Sequence, residues 1–212
     1  PGDPGDPGDP GDPGDTSDTS DTGDTGDSSD GGDWPVILDL TGQGISITQK
    51  SSSNIFFDMA GAGYKHRTAW AGVGNGVLAL DANGDGQITE RNEIIFTDWD
   101  PVADGDLQAL RNVFDTNQNG LLDSGDARWS DFRIMVTNAD GTTTLKTLAE
   151  LGIQSINLVA DKTYVTLPDG SQVRGQATFT RTNGTTGSVA DVSLRYDLDG
   201  HAVQRTVTQN AD

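Results

Sequence analysis

Residues 81–93 read Asp81-Ala-Asn83-Gly-Asp85-Gly86-Gln87-Ile88-Thr-Glu90-Arg-Asn92-Glu93, and residues 115–126 read Asp115-Thr-Asn117-Gln-Asn119-Gly120-Leu121-Leu122-Asp123-Ser-Gly-Asp126. In each stretch oxygen-bearing side chains stand at positions 1, 3 and 5 and a glycine at 6, the front half of an EF-hand-type calcium loop. A hard cation such as calcium takes six to eight oxygens. Alternate residues offer theirs from one side while the glycine takes the positive-φ turn.

The second loop keeps this spacing to its end. Asp115, Asn117 and Asn119 are the direct candidates, Leu121 offers its carbonyl, Asp123 falls at position 9 and Asp126 at position 12. A bidentate Glu is usual at position 12; the shorter Asp126 and the two Asn point to a weaker site. In the first loop Asp81, Asn83, Asp85 and the Gln87 carbonyl fill the early positions, but position 12 is Asn92. The carboxylate comes one residue later, at Glu93, with Glu90 the weaker substitute. Ile88 and Leu122 share position 8, which in paired loops forms a short β-bridge, so the two sites are expected to be neighbours. Asn-Gly and Asp-Gly are also ordinary turn signals; two matches flanking a helical segment favour calcium, about two ions.

The first 33 residues stand apart from any core. They hold an Asp at every third place from Asp3 to Asp33, among Pro, Gly, Ser and Thr only. Such a segment cannot bury enough apolar surface to offset its ordering entropy, so residues 1–33 are expected to be a disordered acidic linker. It carries −11 of the chain's −20, leaving −9 on residues 34–212, which are long enough for one substantial core. The Gly-period triplets up to Gly14 are too few for a collagen triple helix.

A charge of −20 disfavours nucleic acid and anionic membrane surfaces and favours cations. The absence of cysteine excludes disulfides and thiolate metal sites. No apolar run reaches membrane-spanning length, so no membrane insertion is expected. The chain opens without a Met or a signal peptide, the expectation for a fragment or processed product.

Periodicity gives the outline of the fold. Pro35–Leu40, Asn54–Asp58, Thr68–Trp70 and Gly76–Leu80 read as short strands. Leu107, Leu110, Val113 and Phe114 recur at helical spacing and predict a helix over 105–114. Residues 127–132 read as the exit helix of the second loop, and 145–151 as a short helix stopped by Gly152. From Ile153 onward alternation predicts antiparallel strands at 156–158, 163–167, 176–180 and 192–196, joined by Pro168-Asp-Gly170 and Asn183-Gly184 turns. The expected class is α+β, one module over 34–212 with short helices around EF-hand-like loops.

These stretches also carry a resemblance. Pro35-Val-Ile-Leu-Asp-Leu40, Phe57-Asp58 with Arg67-Thr-Ala-Trp70, Leu80–Gly86, Phe114–Asn117, Asp126–Asp131, Thr147–Ser155 and Thr182–Thr186 occur in the order seen in a known family. The chain resembles the calcium-dependent self-processing module of iron-regulated, type I-secreted RTX proteins. That resemblance implies a secreted or surface bacterial protein that folds on meeting extracellular calcium. It also implies departures. The loop at Asp39-Leu-Thr41-Gly-Gln43-Gly44 lacks carboxylates at positions 3 and 5, and Asp58-Met-Ala60-Gly-Ala62-Gly63 lacks them too, so their turns are expected to persist without metal; Thr137–Gly141 is reduced as well.

The family's self-processing reaction cleaves an Asp-Pro bond, the Asp carboxylate attacking its own carbonyl to give an anhydride that water or a lysine amine captures. Pro35 matches the proline, but Trp34 stands where the Asp should be, and indole is no nucleophile. That bond is expected to be inert. Asp100-Pro101 is expected to start a turn rather than to be cut. His66 and His201 are the only histidines, without a partner pattern for zinc or a triad. A calcium-binding structural module is thus the first reading. A calcium-triggered autoproteolytic and isopeptide-forming module is the alternative, and an adhesive domain taking a surface glycan or protein ligand the second alternative.

Overall fold

The computed structural model describes residues 34–197; the acidic segment 1–33 and residues 198–212 lie outside the described residues. The described chain forms thirteen strands and one α-helix. In order, the first strands are β1 (Val36–Asp39), β2 (Ile47–Thr48), β3 (Phe56–Phe57), β4 (His66–Arg67), β5 (Trp70–Ala71) and β6 (Asn75–Leu80). The helix α1 (Asp106–Val113) follows, then β7 (Leu121–Asp123), β8 (Phe132–Thr137), β9 (Thr143–Thr147) and β10 (Ile153–Asn157). The chain continues through β11 (Val165–Thr166), β12 (Gln172–Arg181) and β13 (Thr186–Ser193).

One antiparallel sheet organises the whole, in the order β7-β10-β12-β13-β1-β6-β8-β9, with β11 paired to β12. The first strand is central: Val36 lies opposite Asp191 of β13, and Ile37 opposite Val77 of β6. Burial on both faces explains why β1 and β6 read as unbroken apolar runs instead of alternating ones. Val36, Leu38, Leu78 and Leu80 join a core with Phe96, Leu107, Leu110, Phe114 and Phe132 on the helix side. Ile37, Val77, Ala79 and Ala190 join a second core with Phe57, Met59 and Trp70 on the other. The β2–β5 and β3–β4 ribbons roof this second face.

The architecture is therefore mostly β, and the α+β reading with helices around EF-hand-like loops is overturned. Only the predicted 105–114 helix forms. The expected exit helix at 127–132 is a single 3-10 turn, Trp129–Asp131, after which Phe132 starts β8. The segment expected as a helix over 145–151 is the end of β9 followed by a turn. Its β-branched threonines stiffen the extended chain, and β9 pairs with β8 from Thr143 to Thr147. Gly152, at φ 64°, does make the positive-φ stop, but of a turn. The expected bridge between Ile88 and Leu122 is absent. Leu122 pairs with Ile156 of β10, and the two side chains belong to opposite cores.

Candidate metal centre in the Asp-rich loops

Each Asp-rich loop begins where a regular element stops. Asp39 ends β1, Asp58 follows β3, Asp81 follows β6, and Asp115 follows α1 after the capping residue Phe114. The four loops share one backbone. Their sixth residues, Gly44, Gly63, Gly86 and Gly120, all have positive φ, and so do their fourth, Gly42, Gly61, Gly84 and Gln118.

They also share one hydrogen bond. The sixth residue's N–H donates to Oδ2 of the leading aspartate: Gly44 to Asp39 at 2.6 Å, Gly63 to Asp58 at 2.7 Å, Gly86 to Asp81 at 3.2 Å and Gly120 to Asp115 at 2.8 Å. Where position 3 carries an oxygen, that oxygen accepts the N–H of position 5. This holds for Thr41 in the first loop, Asn83 in the third and Asn117 in the fourth. The aspartate and the glycine thus serve the turn itself. They explain why the loop fold survives where Thr41, Gln43, Ala60 and Ala62 replace the ligand types.

The remaining oxygen differs from loop to loop: Asp58 Oδ1 accepts the Ala62 N–H and Asp115 Oδ1 the Asn119 N–H, each at 3.0 Å. Asp39 Oδ1 is saturated by the Thr41 and Gly42 N–H groups and the Thr41 hydroxyl. Burial works to raise the Asp39 pKa, but the Thr41 hydroxyl and the Gly44, Thr41 and Gly42 N–H groups outweigh it and hold the carboxyl below its usual range. Asp81 is the opposite case. Its Oδ1 is buried and has no hydrogen-bond partner. A buried acceptor without a donor is costly, and a cation is the natural partner for a carboxylate oxygen left so.

The exit carboxylates complete the pattern. Glu93, fully buried, accepts the Ala82 N–H at Oε1 and the Thr89 and Glu90 N–H groups at Oε2. Asp126 does the equivalent in the last loop, accepting the Thr116 N–H at Oδ1 and the Asp123 N–H at Oδ2. Ala82 and Thr116 are both position 2. Glu93, one place late in sequence, therefore folds back to the same point as Asp126. Glu90 does not compete: its side chain is exposed, and its own N–H donates to Glu93 Oε2 at 2.9 Å.

Of the other expected residues, Asp85 Oδ1 accepts the Gln87 N–H, Asn119 Oδ1 accepts the Leu121 N–H, and Asn119 Nδ2 donates to Asp123 Oδ2. The structure thus brings Asp81, Asn83, Asp85, Gln87 and Glu93 into one loop and Asp115, Asn117, Asn119, Leu121, Asp123 and Asp126 into another. Among the described residues, no three carboxylate or imidazole groups converge into a ready-made cage. The oxygens rest on backbone N–H groups; Asp85 Oδ1 and Asn119 Oδ1 accept one each and keep a second lone pair, whereas Glu93 Oε2 and Asp126 Oδ1 accept more than one donor. The donor set is all oxygen, which fits a hard cation and not a soft one.

The two candidate loops are tied to each other and to the core. The Asp81 N–H donates to the Asp131 carbonyl, and Arg128 pairs with Asp131 while reaching the Ala82 carbonyl. Phe114, directly before Asp115, packs edge-on against Phe96 and Phe132.

Sequence reasoning missed two carboxyls nearby. Asp106 in the first turn of α1 is fully buried, and Asp191 of β13 is 5% exposed. The available signal was Asp191 inside the apolar run Val189-Ala-Asp191-Val192, where a charged side chain has no solvent face.

Two comparisons complete the picture. The chain is 33% identical over 172 residues to Iron-regulated protein FrpA of Neisseria meningitidis serogroup C. That alignment takes in 77% of this chain but only 15% of the relative's length. No helix among the described residues is long and apolar enough to cross a membrane. Residues 36–195, from the first residue of β1 to just beyond β13, match the SPM domain, and the chain belongs to the SPM domain family.

Proposed function

We propose that this chain is a calcium-binding structural module of an exported bacterial protein, and that extracellular calcium drives its folding. The observation that carries the reading is the buried, unpartnered Asp81 Oδ1, in a loop where Asp81 Oδ2, Asn83 Oδ1, Asp85 Oδ1 and Glu93 accept the loop's own N–H groups. Asp81, Asn83, Asp85, the Gln87 carbonyl and Glu93 would hold one ion. Asp115, Asn117, Asn119, the Leu121 carbonyl, Asp123 and Asp126 would hold a second. The ion supplies positive charge where the carboxylates would otherwise repel one another, so its binding free energy becomes folding free energy. The Asp39 and Asp58 loops keep the turn without the ligands. Export is supported by the relationship to Iron-regulated protein FrpA and by the absence of cysteine.

On this reading the chain does not cut itself. Trp34 precedes Pro35, and its indole stacks under the Arg174 guanidinium at 4.6 Å. At Asp100-Pro101, Asp100 Oδ2 accepts from Asn112 Nδ2 at 2.7 Å and its carbonyl accepts the Ala103 N–H, so the segment is a turn.

Native mass spectrometry with and without calcium tests both statements. The expected result is the intact mass plus two calcium ions, and loss of both from Asp81→Ala/Asp115→Ala. Fragments ending at an aspartate, or a covalently cross-linked dimer, would overturn the non-processing reading; retention of two ions by the double variant would overturn the site assignment.

A further inference from the structure

Asp106 and Asp191, unused by the loops, are both buried where α1 packs against the sheet, Asp191 accepting the N–H of the residue that follows Asp106. Asp106 accepts the Phe96 N–H at Oδ2 and the Thr97 N–H at Oδ1, both at 2.8 Å. Asp191 accepts the Leu107 N–H at Oδ1 at 3.0 Å and at Oδ2 at 3.3 Å. Each carboxyl therefore fastens one element to another: Asp106 holds the 96–97 segment to the helix, and Asp191 holds the helix to β13. Gly105 makes the close approach feasible, since a methyl there would lie 2.7 Å from Asp191 Oδ2 and 2.9 Å from Trp34 Cε3.

These two joints lie on the paths to both candidate loops. Phe96 and Thr97 follow Glu93 by three and four residues, and α1 runs directly into Phe114 and Asp115. We propose that Asp106 and Asp191 form a proton-operated clasp, closed while the pair retains a proton and loosened when rising pH removes it. The coupling of this clasp to ion binding rests on the calcium reading; the clasp itself does not.

Two like charges in a poorly solvated joint repel strongly, so the doubly ionised pair is the disfavoured form. Burial, then the Asp191 charge, push Asp106 well above the usual carboxylate range, against the opposing Phe96 and Thr97 N–H groups. Burial pushes Asp191 up to about 7, against the Leu107 N–H. The other charged groups around Asp191 share its cleft of about 300 Å³: Asp104 and Arg111 on the helix side, Asp161 after β10, and Arg174 of β12. On the 96–97 side the next charge is Asp98, which pairs with Arg91. β1 and β13 otherwise present apolar side chains here.

The sign follows from linkage. A carboxyl with a raised folded pKa contributes stability that is fully present below its unfolded value of about 3.9 and is lost as pH rises through its folded value. For Asp191 the folded/unfolded ratio falls about tenfold per pH unit up to about 7. Asp39, Asp140, Glu150 and Asp161 are held below their usual ranges and have finished titrating before this window opens.

The test is urea unfolding between pH 5 and 8, for the full chain and for Asp191→Asn, with calcium and with chelator wherever the chain is folded. Asn keeps the shorter Oδ1 acceptor for Leu107 and removes the charge, so the variant should fold. The expected result is a falling folded/unfolded ratio in the parent chain and a clearly shallower fall in Asp191→Asn. Equal slopes overturn the clasp. Carboxyl ¹³C NMR of the parent chain reads the same group directly: titration of Asp191 near neutrality supports the clasp, and titration near pH 4 overturns it. Calcium titration at pH 6 and pH 8 then separates the two claims. Affinity that weakens at pH 8 in the parent but not in Asp191→Asn supports coupling. Equal affinities refute the coupling and leave the clasp; no calcium binding at either pH refutes the calcium reading alone.

Discussion

Gln118 is the one described residue other than glycine with positive φ, at 59°. It occupies the fourth place of its loop, where the other three loops have Gly42, Gly61 and Gly84. A Cβ in the left-handed region costs about 1–2 kcal/mol, partly regained because a non-glycine residue has less freedom to lose on folding. Gln118→Gly is therefore expected to raise stability by roughly 0.5–1 kcal/mol, as an upward shift of the urea midpoint. A lower midpoint would mean that the Gln side chain contributes more than its backbone strain costs. None of this was legible in the sequence, because Asn-Gln-Asn-Gly reads as a turn whichever residue carries the strain.

The same scale decides the ligand assignment. Glu93 was legible as a carboxylate one place late, but only its return to the Ala82 N–H shows it to be the counterpart of Asp126. Glu93→Gln is expected to weaken calcium binding at the first loop at least about tenfold by calorimetry, since a charged oxygen donor is lost. Glu90→Gln should change it little, the Glu90 side chain being exposed. A larger loss from Glu90→Gln than from Glu93→Gln would reverse the assignment. Asp191 illustrates the opposite limit. Its sequence neighbours betray a buried position, yet nothing local announces Asp106 as its companion, because the two are brought together by the packing of α1 on β13.

Among the elements, those with strong local signals were legible. β1, β6 and α1 formed close to their expected bounds, and the Asn183-Gly184 turn does join β12 to β13, but β13 runs over Thr186–Ser193 instead of the expected 192–196. The errors fell where a short apolar stretch fits two periods. Ala127–Phe132 has helix-compatible spacing, but the chain turns once and joins the sheet, because Phe132 pairs with Leu80. Tertiary pairing decided there against local propensity.

The joint between α1 and the sheet is tight enough to predict its response to one methyl group. Gly105 has extended backbone, so Ala meets no dihedral penalty, only the Asp191 carboxyl and the Trp34 ring. Gly105→Ala is expected to destabilise the chain by about 1–3 kcal/mol, the usual result of overpacking. Chemical denaturation measures it, and an unchanged midpoint would show that Trp34 yields freely.

For the whole molecule the decisive pairings are distant in sequence. β1 is inserted between β13 and β6, with Val36 opposite Asp191, so the sheet closes only after most of the chain has been placed. Such closure carries a loop entropy that local structure cannot offset in advance. Residues 34–212 also carry a net −9, with carboxylates gathered in the loops where β6 and α1 end. Calcium bound as proposed would act on both difficulties at once: it would neutralise the loops and fix the ends of β6 and α1 on either side of the Phe96–Phe114–Phe132 cluster. A ligand that binds the folded state alone stabilises by about 2.7 kcal/mol per site at a hundredfold excess over its Kd. Thermal unfolding should accordingly shift upward with calcium and return with chelator, the shift roughly halving in Asp115→Ala and vanishing in Asp81→Ala/Asp115→Ala. Magnesium, which holds its water and demands an octahedral cage, should produce much less. A melting temperature indifferent to calcium would sink the proposal that metal drives this fold, and would leave the loops as turns inherited with their aspartates.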